Sequence, residues 1–232
     1  MNIFEQALQL IKSLCFMVGS ATCHQISARS FFVGSHQLPH CARCSGFFIG
    51  AGVSILYLHF NRRTNGNKPF SLGQAVTFCL GLLPLAFDGL TSYLGLRESN
   101  NILRYMTGVL FIYMLPAMVV LVKNFKPEGN NNTPIFYSNW ELALIPAISS
   151  VFLLLSQIDH IAVYLILALL QAASVCFSLA YFSAMGIRWI FGRLGRHKVK
   201  AVYVRALACL AAGGLILLMS GFNRLLFNVL VG

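Results

Sequence analysis

Six apolar runs, each close to the length that crosses a bilayer, govern what this chain can fold into. They lie near residues 45–60, 72–94, 102–122, 140–157, 161–187 and 201–220. A helix needs ~20 apolar residues to cross the hydrocarbon core. No water is available there, so every backbone N–H and C=O must be paired within a helix or a closed barrel. The runs are continuous rather than alternating, which favours helices over a barrel. With 57% hydrophobic and 10% charged residues, the composition lies outside the range of soluble domains. The expectation is an all-α, polytopic transmembrane helical bundle with six or seven membrane-embedded helices. It forms a single integral-membrane domain over 1–232, with a Cys/His loop at 22–44 ahead of a bundle at 45–220.

Segment 2–21 decides between six and seven. It carries Leu8, Leu10, Ile11, Leu14, Phe16, Met17 and Val18, but also Glu5, Gln6, Gln9 and Lys12. Glu5 stands where a signal peptide has its basic region, and cysteines follow closely, so a retained helix is expected, spanning or lying in the interface.

The formal charge of +11 would suggest nucleic-acid binding in a soluble protein. Here the charges sort by loop. Arg62, Arg63 and Lys68 follow the first run, Lys123 and Lys126 follow the third, and Arg188, Arg193, Arg196, Lys198 and Lys200 precede the last. Alternate basic loops mark the cytoplasmic side. No nucleic-acid partner is needed; the partner is the lipid bilayer, with Arg193–Lys200 against anionic headgroups. The chain is therefore placed in the inner (plasma) membrane with its Cys/His segment extracytoplasmic, on the side of residues 88–101 and 156–160.

That segment holds the unusual chemistry: Cys23-His24-Gln25, then Pro39-His40-Cys41-Ala42-Arg43-Cys44. Cys-x-x-Cys is the spacing at which two thiolates grip a tetrahedral metal from a helix start. Cys23, seventeen residues earlier, is within loop reach, so Cys23, Cys41 and Cys44 are ranked as ligands of a zinc ion. His24 serves as fourth ligand or proton carrier, with His36, His40 and Asp88 as alternatives. The same spacing serves thiol–disulfide chemistry, with Cys23 as a resolving thiol and a quinone as electron acceptor. His-Cys-x-x-Cys reverses the haem-attachment order, which disfavours covalent haem. Cys15, Cys79, Cys176 and Cys209 lie in apolar segments and are read as small hydrophobes.

Arg29, Arg43, Arg97 and Arg104 break the charge rule by falling on the cysteine side, with Asp88, Glu98 and Asp159. Charges beside a bilayer are costly and tend to be paired or functional. Between two apolar runs stands Gly95-Leu96-Arg97-Glu98-Ser99-Asn100-Asn101, where a plain connector needs only a turn. Ser99, Asn100 or Asn101 would cap the next helix. Arg29, Arg43, Arg97, Ser99, Asn101 and Arg104 are read as binding an anionic group, a lipid phosphate or small molecule. Asp88 or Glu98 would act as base or orient a ligand. The plain alternative is a capped loop with an Arg97–Glu98 or Arg104–Asp88 ion pair.

Taken together, these motifs resemble the uncharacterised membrane-protein family catalogued as domain of unknown function 2085. The resembling residues are Cys23-His24-Gln25, Arg29-Ser30-Phe31, Gly34, Pro39, Cys41-Ala42-Arg43-Cys44, Gly46, Asp88-Gly89, and Gly95 through Gly108 at Leu96, Arg97, Ser99, Asn101, Arg104 and Thr107. The resemblance covers roughly residues 15–110 and implies a membrane protein without supplying a reaction. His40 stands where the pattern is apolar, and is discounted as a ligand.

Gly46-x-x-x-Gly50 with Gly52 is read as close helix packing, and Pro84, Pro116 and Pro146 as kinks. Three functions stay open: a zinc site with an anionic substrate, a membrane thiol–disulfide oxidoreductase at Cys41 and Cys44, and a transporter using Asp88 and Asp159. The last fits least, because transporter sites lie near the midplane and these charges gather at one face.

Overall fold

The computed structural model describes residues 3–193 and 201–231. In chain order it runs α1 (Ile3–Ser20), a 3-10 turn (Ser27–Arg29), β1 (Ser30–Val33), β2 (His36–Cys41), α2 (Ala42–Phe60) and α3 (Leu72–Tyr93). There follow α4 (Asn101–Ile112), α5 (Leu115–Asn124), α6 (Trp140–Leu155), α7 (Ile161–Arg193) and α8 (Ala201–Val231). Every apolar run lies on helix. Among the described residues, five stretches are long and apolar enough to cross a membrane: Ala42–Phe60, Leu72–Ser92, Asn101–Asn124, Ile161–Phe191 and Ala201–Asn223. α6 is apolar but has 16 residues, short of the ~20 a perpendicular span uses. Segment 2–21 is helical as α1, packed on α7, α8 and β2. Arg196, Lys198 and Lys200, read above as cytoplasmic, lie outside the described residues.

The run at 102–122 is one span made of two helices, broken at Tyr113–Met114. Pro116 accounts for the break: it has no N–H to return to the Ile112 carbonyl, and its ring crowds that carbonyl. Pro84 and Pro146 instead sit inside unbroken α3 and α6.

α2 is the hub, packed against α4, α5, α6 and α7. Its approach to α4 is backbone to backbone. A methyl at Gly46 would collide with the Tyr105 carbonyl, and one at Gly108 with the Arg43 carbonyl. The Gly46–Gly50 spacing is thus the architectural device its pattern suggested.

Segment 22–44, expected as a loop, is partly a hairpin. β1 and β2 pair antiparallel, with Val33 opposite His36 across the two-residue turn Gly34-Ser35. Gly34 has φ +58°, a conformation that favours glycine in such turns. The hairpin buries Phe31, Val33 and Leu38 in the core. There Phe31 meets Tyr105 and Phe152 edge-on, with ring centroids 5.9 and 6.3 Å away. Tyr105 in turn donates its hydroxyl to the Ser149 carbonyl at 2.6 Å. The hairpin is therefore anchored on the bundle and presents Cys41 at the N-terminus of α2. The basic residues Arg62 and Arg63 stand at the other end of that helix, roughly 28 Å away at 1.5 Å per residue.

Candidate metal centre

β2 becomes α2 at Cys41, which is the N-cap in extended conformation (φ −63°, ψ 159°). Cys44 follows one turn later. Cys23 arrives from the loop after α1, where its sulfur accepts the backbone N–H groups of Cys41 (3.2 Å) and Gln25 (3.4 Å). The Cys44 thiol points to the Thr22 carbonyl at 3.8 Å. All three sulfurs lie within 4.8 Å of one another. Tetrahedral zinc with ~2.3 Å Zn–S bonds places its thiolates ~3.8 Å apart, so modest contraction would seat one ion.

The trio is electrically asymmetric. Hydrogen bonds from the Cys23 and Cys44 side chains, and from the Cys44 and Arg43 backbone, hold the Cys41 thiol far below its ordinary value. The bond to Cys41, with burial, pushes Cys23 up to about 11. Without metal, Cys41 is therefore the sulfur more disposed to ionise and Cys23 the one more disposed to keep its proton.

Two glutamines brace this arrangement. Gln25, in left-handed conformation at φ 54°, donates its side-chain amide to the carbonyls of Phe16 (2.9 Å) and Pro39 (2.8 Å). Gln171 of α7 donates to the Ser45 hydroxyl at 2.7 Å, and that hydroxyl donates to the Cys41 carbonyl at 3.0 Å. His40, fully buried, lies 3.4 Å from the Thr22 hydroxyl and beside the Phe48 ring. Burial pushes it down to about 4, so it is a neutral corner residue outside the sulfur group. His36 is taken up by Lys12 at 3.3 Å and by the Tyr164 ring. His24 is exposed at the mouth of the site and outside the three-sulfur group.

A cleft of about 140 Å³ opens on the sulfurs, lined also by His24, Ser92, Arg29, Arg43 and Arg104. Asp88 is buried and accepts Arg43 on one oxygen (2.5 Å) and Arg97 on the other (2.6 Å). The Arg97–Glu98 and Arg104–Asp88 pairs weighed above are thus replaced by a double pair on Asp88. Ser99 lies beside that carboxylate, and Glu98 is exposed. Arg104 donates to the Asn101 side chain at 3.2 Å, and Asn101 donates to the Ser30 carbonyl at 3.0 Å. Asn100 caps α4 by accepting the Leu103 N–H at 2.8 Å. Asp159 packs against Gly34 at the hairpin tip, and His160 accepts the Ala162 N–H at 3.1 Å.

The tertiary structure therefore joins Cys23, Cys41, Cys44, His24, Arg29, Arg43 and Arg104 in one cleft, with Asp88, Arg97, Ser99 and Asn101 behind it. Sequence reasoning assigned no role to Gln25 and overlooked Gln171 and Ser92. It also overlooked the hairpin, although Gly34-Ser35 between apolar stretches is a turn signal. Gln171 had none, being one polar residue in a long apolar helix.

The fold and site define a polytopic helical membrane protein with a thiol cluster at one end of its central helix. The chain belongs to the family of predicted membrane proteins catalogued as domain of unknown function 2085, whose model matches residues 23–118. It is 36% identical over 121 residues to an uncharacterised protein of Methanocaldococcus jannaschii, an alignment covering 49% of this chain and 76% of that one. An uncharacterised protein of Methanothermobacter thermautotrophicus is 34% identical over 107 residues, covering 45% of this chain and 86% of its own length. No solved structure matches the chain. The matched span contains all three clustered cysteines, Asp88 and the four arginines around them.

Proposed function

We propose that Cys23, Cys41 and Cys44 bind a zinc ion at the extracytoplasmic membrane face, and that the adjoining cleft receives an anionic group. The observation that carries this reading is the convergence of three sulfurs within 4.8 Å and three arginines on one cleft. Three protein ligands leave a fourth position, the pattern of open zinc sites. When bound, zinc would supply Lewis acidity toward an oxygen of the ligand.

The chain's own residues supply the rest. Asp88 orients Arg43, which lines the cleft and keeps 23% of its side chain accessible, so its guanidinium can meet an oxyanion there. Asn101 holds Arg104. Arg29 and His24 stand exposed at the mouth, where His24 can carry a proton or complete the ligand set. Asp88, with both oxygens committed to guanidinium groups, acts as a positioning residue rather than a base. The outward placement rests on Arg62, Arg63 and Lys68 standing at the opposite end of α2.

A second reading, thiol–disulfide exchange, is favoured by the Cys41 thiolate lying beside two thiols. Closing a disulfide from the Cys41 thiolate and the Cys44 thiol would release two electrons and one proton; a membrane quinone would accept the two electrons and that proton and take its second proton from water.

Metal analysis of the purified protein beside Cys41→Ser, with thiol counting on both, separates the two. About one zinc per chain, lost in the variant, supports the metal centre. Absence of metal with two thiols missing moves the assignment to the disulfide.

A further inference from the structure

A second cleft lies at the far end of α2, built by the two connectors that follow α2 and α5. The connectors are cross-braced. The backbone N–H groups of Asn67 and Lys68 both donate to the Thr133 carbonyl at 2.9 Å, and Thr133 N–H donates to the Asn67 side chain at 3.0 Å. Asn124 donates its amide to the carbonyls of Thr64 (2.9 Å) and Gly66 (3.1 Å). Across the connectors runs a shallow, solvent-open groove of about 520 Å³ lined by Asn61, Arg62, Arg63, Thr133, Pro134 and Tyr137. A neighbouring cavity of about 300 Å³ shares Pro134 and Tyr137 and adds Lys68.

The charges in this cleft are available and held in place. The Arg63 guanidinium lies over the Tyr137 ring, 3.8 Å from its centroid, and its Nε is buried without a hydrogen-bond partner. Among the described residues the ion pairs are Arg43–Asp88 and Arg97–Asp88, so neither Arg62 nor Arg63 is neutralised by one. Glu141 is buried and accepts the Tyr137 backbone N–H at 3.2 Å. At the end of α2 the carbonyls of Tyr57, His59 and Leu58 accept the N–H groups of Asn61, Arg62 and Arg63, which fixes the backbone that carries the two arginines. Guanidinium groups held on an aromatic face suit phosphate oxygens.

The surroundings indicate what carries the phosphate. Phe60, Leu72, Tyr137 and Trp140 are exposed around the cleft. Exposed aromatics at the end of a span mark the headgroup level of a bilayer. We propose that this cleft binds the phosphate headgroup of an anionic phospholipid in the leaflet opposite the cysteine centre. Arg62 and Arg63 supply the charge, Tyr137 holds Arg63, and Asn61 and Thr133 are neutral partners. The site is independent of the zinc assignment.

The test is native mass spectrometry of the full chain in detergent. It compares retention of phosphatidylglycerol and phosphatidylcholine by the parent, Arg63→Gln and Tyr137→Leu. Preferential retention of phosphatidylglycerol is expected, falling about fivefold on loss of the Arg63 charge and falling also in Tyr137→Leu. If Arg63→Gln does not fold, the exposed Arg62→Gln carries the same expectation. Equal retention of the two lipids, or unchanged retention in the variants, would overturn the proposal. Displacement of phosphatidylglycerol by an equal concentration of inorganic phosphate would also overturn it, assigning the cleft to free phosphate.

Discussion

Arg43 and Asp88 meet at 2.5 Å across 45 positions of sequence, and this contact ties the thiol-bearing start of α2 to the end of α3. Asp88 is buried, whereas Arg43 keeps 23% of its side chain accessible toward the cleft. The carboxylate thus sets the direction of a cation that belongs to the site, and Arg97 on its other oxygen holds it there.

Asp88→Asn tests this directly. Losing the charge leaves two arginines without a counter-ion, at a cost of about 2 kcal/mol, below the fully buried case because both arginines reach solvent. A lower melting temperature in detergent is expected, with metal content unchanged because no ligand is touched. Loss of bound metal would place Asp88 in the coordination sphere instead.

Cys41 should label first. In metal-free protein its thiolate, held low chiefly by the Cys23 hydrogen bond, should react with iodoacetamide at a rate nearly independent of pH between 6 and 8. Cys23→Ser weakens that support and raises the Cys41 thiol toward its usual ~8.5, so labelling should then accelerate as pH rises. Peptide mass spectrometry reads both rates. A steep pH dependence in the parent would contradict the charge assignment.

His40 gives stability a pH dependence. Burial lowers it from 6.5 to about 4, so between those values the unfolded chain binds a proton that the folded chain refuses. Its contribution is complete above pH 6.5 and lost as pH falls through about 4, amounting to about 3 kcal/mol at most. His40→Asn should flatten this part of the melting profile. An unchanged profile would mean that His40 is protonated in place.

Gly46→Ala tests the hub. The new methyl meets the Tyr105 backbone carbonyl, which cannot swing away as a side chain could. α2 and α4 must separate, at about 3 kcal/mol. Gly213→Ala is the control, since nothing lies within 4 Å of a methyl there. Equal melting temperatures for the two variants would contradict the close packing.

Much of this protein is legible along the chain. Hydropathy and length are one-dimensional properties, so the helices follow from the apolar runs. The break at Tyr113–Met114 follows from Pro116 because proline acts on its own turn. Cys41 and Cys44 are paired by helical spacing, and the resemblance at both motifs is a statement about order. The hairpin at Ser30–Cys41 was within reach of the same reasoning, since its turn signal is local.

What the chain order could not decide are meetings between distant segments. Asp88 had an arginine nine positions away and an acidic neighbour to that arginine, yet it pairs with both Arg43 and Arg97. Gln171 braces the cysteine corner from 126 positions away, and Arg63 finds its ring on Tyr137 across two connectors. Sequence alone determined which segments form apolar helices and which local groups can share a turn, because solvation and helical periodicity act residue by residue. Tertiary structure decided which charges pair and which stay free, because those choices depend on where close-packed glycine faces and buried polar partners bring separate helices together.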